Sequence, residues 1–221
     1  MNPATTTPID SIKNTIVPNL GAVVLSGGSS RRMGRDKSQL LFRGRTLLEN
    51  VVERVARVCH PIVVAGIDSF DYQNSKLTTS FVTDQYRDCG PLEGIRAGLA
   101  CLAPSVNWAF VSACDAPEIN PDLIRWMTSF IEIQDESCEA IIPVDGDRIY
   151  GLTAMYRTNL AAEIESLIQS GERRVKFLAS HFKATLIDVR QFSAVDRALD
   201  SFANINDLAD YQRLLERESS G

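Results

Sequence analysis

Apolar positions along this 221-residue chain recur with two different periods. Ala22-Val23-Val24-Leu25, Ile62-Val63-Val64-Ala65 and Trp108-Ala109-Phe110-Val111 are short unbroken runs. Each has the length expected of a strand buried on both faces of a parallel sheet, and the first two are rich in β-branched residues. Between them, Leu47, Leu48, Val51, Val52, Val55 and Val58 return every three or four positions and predict an amphipathic helix over Thr46–Cys59. His60-Pro61 stops it. Leu92, Ile95, Leu99 and Leu102 mark one face of a second helix, opened by Gly90-Pro91. A third follows Asn120-Pro121-Asp122, with Leu123, Ile124, Met127, Phe130 and Ile131 as its core side.

Shorter signals complete the outline. Gln39–Phe42 is a brief apolar piece before the turn Arg43-Gly44-Arg45, and Phe81-Val82 is a short strand. Glu139–Val144 predicts a strand, Asp145-Gly146-Asp147 a turn, and Tyr150–Tyr156 the strand that returns from it. Helices are expected over Leu160–Leu167 and Arg174–Phe182, then a strand at Leu186–Val189. A last helix carries Leu208, Tyr211, Leu214 and Leu215, with Asn206 as its N-cap. Strand, helix, strand in this order builds a parallel sheet with right-handed crossovers. The expectation is one α/β domain in three layers over residues 19–221, behind a loosely ordered tail over 1–18.

The first strand runs into the richest chemistry of the chain. After Leu25 the sequence reads SGGSSRRMGRDK, a small, polar, basic loop. Gly27-Gly28 lets backbone N–H groups approach an anion without Cβ interference, and a concave row of such groups is a phosphate cradle. Arg31, Arg32, Arg35 and Lys37 supply matching charge. The spacing is neither that of a Walker A loop nor G-x-G-x-x-G. Two carboxylates also stand just past strand ends, where ligands of parallel sheets gather. Asp84 follows Phe81-Val82-Thr83, with Asp88 as a neighbouring competitor, and Asp115 follows the third strand through Ser112-Ala113-Cys114. Locked by Ala116-Pro117, Asp115 suits a hard cation such as Mg²⁺, which takes one or two carboxylates together with phosphate oxygens and waters.

Bulk properties narrow the field. A net charge of −5 disfavours a nucleic-acid partner while leaving room for one nucleotide on a basic loop. The five cysteines form no C-x-x-C pair and read as reduced, mostly buried thiols of a cytoplasmic chain. Two histidines far apart in sequence do not suggest a triad or a His-based metal site. No apolar run spans a membrane, and the first 18 residues lack the apolar region of a secretory signal.

Three blocks together resemble a known family. Leu25-Ser26-Gly27-Gly28, then Arg32-Met33-Gly34, then Asp36-Lys37 resembles the nucleotide loop of the molybdenum cofactor guanylyltransferases, the MobA-like nucleotidyltransferases. Asp84 followed by GPLEGIRAGL from Gly90, and Cys114-Asp115-Ala116-Pro117, match two further blocks of that family. The resemblance runs from Leu20 to about Leu215. It implies a Rossmann-like, mainly parallel sheet of the nucleotide-diphospho-sugar transferase type, with at least one antiparallel strand. It also implies transfer of GMP from GTP to the phosphate of molybdopterin-bound molybdenum cofactor, with release of pyrophosphate and Mg²⁺ as cofactor.

The same resemblance places Leu25, Ser26, Gly27, Gly28, Arg32, Lys37, Asp84 and Asp115 at the nucleotide. Asp115, Lys37 and Arg32 are then catalytic, with Asp115 on the metal. Gly171-Glu172-Arg173-Arg174 matches a further stretch, whose arginines suit an acidic acceptor. Expected partners are GTP, the molybdenum cofactor and the proteins that deliver or accept it. The chain departs from the family where Asn204-x-Asn206 continues into Asp207-Leu208 instead of Thr/Ser-Pro-Glu, and where Gly66-Ile67 replaces a polar Asn near the base pocket. The residues alone therefore leave open a cytidylyltransferase on the same cofactor, a sugar-phosphate nucleotidyltransferase, or a non-catalytic nucleotide-binding module.

Overall fold

Val, Ile and Ala runs pair in the centre of one sheet. In the computed structural model, which describes residues 15–26, 37–69, 79–86, 88–133 and 137–219, β1 (Leu20–Leu25) lies between β4 (Ile62–Ala65) and β6 (Trp108–Ala113), parallel to both. All sixteen residues of these strands, six, four and six in turn, are buried. Burial on both faces is the reason these runs show no polar alternation. Parallel β5 (Thr79–Val82) closes one side. On the other, β9 (Ala154–Arg157) inserts antiparallel between β6 and β7 (Ala140–Asp145), and β10 (Ala184–Asp188) pairs parallel with β7.

Helices cover both faces, so alternate residues of each strand serve different cores. Ala22 and Val24 of β1 meet α1 (Leu47–Val55) and α3 (Pro121–Ile133) through Leu48, Val52, Leu123 and Met127. Val23 and Leu25 meet α2 (Pro91–Leu102) and α4 (Ala161–Gln169) through Leu92, Ile95 and Ile164. A third, small core joins the hairpin of β2 (Leu41–Phe42) and β3 (Arg45–Thr46) to α6 (Leu208–Ser219), with Phe42, Leu47, Ile205 and Leu214 buried together.

Helix α2 lies unusually close to β1. A Cβ added to Gly98 would stand 2.4 Å from Val23 Cγ1, and one on Gly94 2.7 Å from Leu25 Cδ2. Val23 is branched and fully buried, so it has no room to move. Gly98→Ala recovers about 1 kcal/mol of helix propensity but overpacks a closed core, which costs about 1–3 kcal/mol. A net loss of stability is expected, seen as a Tm several degrees below wild type. A Tm at or above wild type would show that α2 can lift off the sheet.

Several boundaries differ from expectation, each for a local reason. Helix α1 starts one residue later, because Thr46 and Glu49 form a capping box, and it ends at Val55. The return from the Asp145-Gly146-Asp147 turn splits in two. β8 (Arg148–Ile149) pairs with β7 across a tight hairpin where Gly146 takes φ +54°, and β9 begins only at Ala154. Between them Thr153 N–H donates to Tyr150 O at 3.0 Å, turning the chain away from β7. The helix expected over Arg174–Phe182 is a 3₁₀ turn, Val175–Phe177, followed by the single-turn α5, Leu178–His181. Val17, placed in the tail by its sequence, donates its N–H to Val58 O at 2.8 Å and packs on the core. Residues 1–14 lie outside the described residues.

Candidate active site

The register of the sheet sets the two flagged carboxylates level. Val82, Ala65, Leu25 and Ala113 form one row across β5, β4, β1 and β6. Asp84 and Asp115 each stand two residues past that row, at the carboxyl edge. With strands about 4.8 Å apart, three spacings put β5 and β6 roughly 14 Å from one another. Asp84 and Asp115 therefore stand at the same edge of the sheet, about three strand spacings apart, with the end of β1 between them.

Asp115 is the most strongly prepared of these groups. Its Oδ1 is buried and has no hydrogen-bond partner among the described residues. Burial holds its carboxyl above the ordinary carboxylate range, opposed by the charge of Lys37 and by a hydrogen bond from its own backbone. Lys37 opens a 3₁₀ turn, Lys37–Gln39, and its Nζ donates to Ile205 O at 3.0 Å. Ile205 N–H in turn donates to Asp115 O at 2.8 Å. Ile205 thus bonds the Lys37 ammonium and the Asp115 main-chain carbonyl through its own main chain, while its side chain is buried with Phe42 and Leu47.

Of the other expected nucleotide residues, Leu25 and Ser26 form the rim. Leu25 O accepts from Cys114 N–H at 2.9 Å, and its side chain is buried beneath α2. Ser26 N–H donates to Ala65 O at 2.8 Å, and its Oγ is buried without a partner among the described residues. Gly27, Gly28 and Arg32 lie outside the described residues, as do Arg31 and Arg35. Asp84 is exposed, and its carboxyl is held high by partial burial and then by Glu93, against the pull of Arg96. Asp88 stands at φ +56°, just before Gly90, whose φ of +59° and ψ of −152° only glycine adopts readily.

A cavity of about 310 Å³ opens beside the start of α2 and is lined by Pro91, Arg148, Tyr150, Gly151, Arg173 and Asn204. It brings together two stretches that the sequence flagged separately. Arg148 lies 4.6 Å over the Tyr150 ring. The two arginines of the Gly171–Arg174 stretch part company. Arg174 forms a two-pronged pair with Glu172, at 2.8 Å on both prongs, which pulls that carboxyl down to about 2. Arg173 donates to Ile168 O and Glu172 O, both at 2.7 Å, and faces the cavity.

Asn206 is not the cap of α6. Asp207 Oδ1 accepts from Asp210 N–H at 2.9 Å, and Asp210 Oδ2 accepts from Asp207 and Asn206 N–H at 3.3 and 2.8 Å. This reciprocal pair is an acidic capping box, and Asp207 wins because its partner sits three residues on. Neither histidine serves the site residues described here. His181 pairs with Glu163 at 2.8 Å on the α4–α5 side. Among the cysteines, Cys59, Cys89 and Cys138 are buried, and burial pushes the Cys59 thiol up so that it stays protonated.

The residue that sequence reasoning missed is Ile205. Its side chain is an ordinary core residue, and only its main chain acts on the site. The flanking Asn204 and Asn206 were the available signal.

Chemically, one buried carboxylate with an orphaned oxygen beside an ammonium group suits a divalent cation that brings its remaining ligands from phosphates and water. No group of three or more His, Cys, Asp or Glu gathers among the described residues. The donor set at Asp115 therefore fits Mg²⁺.

Three comparisons bear on this arrangement. A family model described as a MobA-like NTP transferase domain matches residues 22–185. A probable molybdenum cofactor guanylyltransferase from Mycobacterium marinum is 36% identical over 196 residues, 87% of this chain and 91% of that protein. A molybdenum cofactor guanylyltransferase from Syntrophotalea carbinolica is 34% identical over 196 residues, with 87% and 89% covered. Among solved structures, molybdopterin-guanine dinucleotide biosynthesis protein A from Archaeoglobus fulgidus superposes with a TM-score of 0.74 at 25% identity, over 91% of this chain and all of that one.

Proposed function

The chain belongs to the MobA-like NTP transferase family, and from that premise we propose that it transfers GMP from GTP to the phosphate of molybdopterin-bound molybdenum cofactor. A phosphate oxygen of the acceptor attacks the α-phosphorus of GTP, the bond to the β-phosphate oxygen breaks, and pyrophosphate leaves. Guanine and the molybdenum cofactor come from the names of the relatives. The observation that carries the chemistry is the buried Asp115 carboxyl, which feels the charge of Lys37 while both residues bond the main chain of Ile205.

Two phosphate groups repel, so the protein's work is to neutralise charge and hold attacker and leaving group in line. Asp115 would hold a Mg²⁺ ion, which would supply positive charge to the triphosphate. Lys37 stabilises the charge that develops on the pyrophosphate, with Arg32 of the glycine loop in the same role. Asp84, farther along the sheet edge, meets the nucleoside end. The cavity between Arg173 and Asn204 receives the acceptor, where Arg148 and Arg173 balance its acidic groups. The acceptor oxygen is already anionic near neutral pH, so no general base is required.

The test is pyrophosphate release with GTP, CTP, ATP and UTP, each with the molybdenum cofactor, in the presence of Mg²⁺ and after its removal with a chelator. Release with GTP alone, lost on chelation and restored by Mg²⁺, is the expected result. Release with CTP would keep the chemistry and overturn the base. Tight GTP binding with no release, beside a competent control enzyme, would make the chain a binding module.

A further inference from the structure

A buried ion pair lies next to the segment that carries Asp84, and the chemistry above does not use it. Glu93, in the first turn of α2, is 0% exposed. A carboxylate is almost never placed so deep unless it is paired. Its two oxygens accept from Arg96 Nε and Nη2, both at 2.7 Å, in a bidentate pair. Its Oε1 also accepts the main-chain N–H of Gln85 at 2.8 Å. Arg96 Nη2 reaches the Gln85 side-chain oxygen at 3.3 Å, and its guanidinium lies 5.5 Å over the Tyr86 ring.

The same short segment is fastened from the other side. The Tyr86 hydroxyl donates to Glu165 of α4, and Gln169 Nε2 donates to that hydroxyl at 3.2 Å. Residues 84–86 are irregular and follow the edge strand β5, so no strand pairing holds them. A buried ion pair is seldom the cheapest way to stabilise a core, since apolar residues of the same volume often do as well or better. What an apolar pair cannot do is accept a main-chain N–H at a fixed place. Here that N–H belongs to the residue next to Asp84.

We propose that Glu93 is a positioning residue for the nucleotide: by holding Gln85 N–H it fixes the backbone on which Asp84 stands, so that nucleotide affinity depends on it and the rate of transfer does not. Arg96 pairs with both Glu93 oxygens and keeps the carboxylate correctly turned. The inference rests on the reading of Asp84 as a nucleotide contact.

Three variants test it. Glu93→Leu combined with Arg96→Met removes the hook and fills the space with apolar volume. Gln85→Pro deletes the same donor, and with it the side-chain oxygen that Arg96 Nη2 reaches, while the Glu93–Arg96 pair itself remains. Asp84→Asn reports the contact itself. Each is assayed for GTP Kd by calorimetry, for KM and kcat by pyrophosphate release, and for folding by circular dichroism. For the double variant and Gln85→Pro the expected result is a rise in GTP Kd and KM of about tenfold, the scale of one hydrogen bond to a charged group, with kcat within about twofold of wild type.

Amide exchange at residue 85 should accelerate in the double variant and remain slow in wild type. If Asp84→Asn weakens GTP and a folded hook variant does not, the positioning role is wrong and the contact stands. If Asp84→Asn leaves GTP binding unchanged, the contact reading falls and this inference falls with it, whatever the amide exchange shows. A loss confined to kcat would overturn the positioning role as well.

Discussion

Asp115→Asn should sharply lower turnover while leaving the metal-free fold at least as stable as wild type near neutral pH. The loss in pyrophosphate release is expected to be about a hundred- to a thousandfold, as for a single lost oxyanion donor. The stability effect follows from the direction of the titration. Burial raises the Asp115 carboxyl above its ordinary value, and the charge of Lys37 only partly offsets this. The folded protein therefore binds that proton more tightly than the unfolded chain does. Stability then falls as pH rises from the ordinary carboxylate value, about 4, through the raised one, and above that window wild type carries the full cost of a buried charge.

Asparagine carries no such cost. Tm curves in metal-free buffer should converge below about pH 4 and separate as pH rises, with the variant on top. Adding Mg²⁺ should raise the Tm of wild type alone, because the ion binds the folded state through that carboxylate. Turnover close to wild type in the variant, or a variant Tm well below wild type near neutrality, would remove Asp115 from the metal site.

Lys37→Met should lower kcat about a hundredfold and shift the acid limb of Mg²⁺ binding. Lys37 pulls the Asp115 carboxyl down. Without it the carboxyl rises further, so protons compete with the metal up to a higher pH, and Mg²⁺ affinity measured by calorimetry begins to fail at a less acidic point than in wild type. Arginine is not expected to restore activity, because its planar fork does not occupy the compact place of an ammonium group seated on the Ile205 carbonyl. An unchanged acid limb in the methionine variant would mean that Lys37 and Asp115 do not act on each other.

Much of this arrangement is legible in the sequence. The strands β1, β4 and β6 announced themselves because burial on both faces demands unbroken apolar runs. Asp84 and Asp115 were found because a polar residue just past such a run must lie at the carboxyl edge. The misplaced features share a cause. Asn206 and Asp207 have equal capping propensity, and only the partner at Asp210 separates them. The stretch after Asp147 reads as one strand over Tyr150–Tyr156, yet its first residues line a cavity.

By itself, the sequence determined the α/β class, the positions of the buried strands and the two strand-end carboxylates. Each of these is a local property, carried by neighbours within a few residues. Tertiary structure alone decided that Asp84 and Asp115 stand level across the sheet, that Arg173 shares a cavity with Asn204 while Arg174 does not, and that Ile205 bonds both the Lys37 ammonium and the Asp115 main chain. Lys37 and Ile205 are 168 positions apart. Ile205 makes both bonds through its main chain, and every residue but proline carries the same N–H and C=O, so no amino-acid type marks the place where they meet.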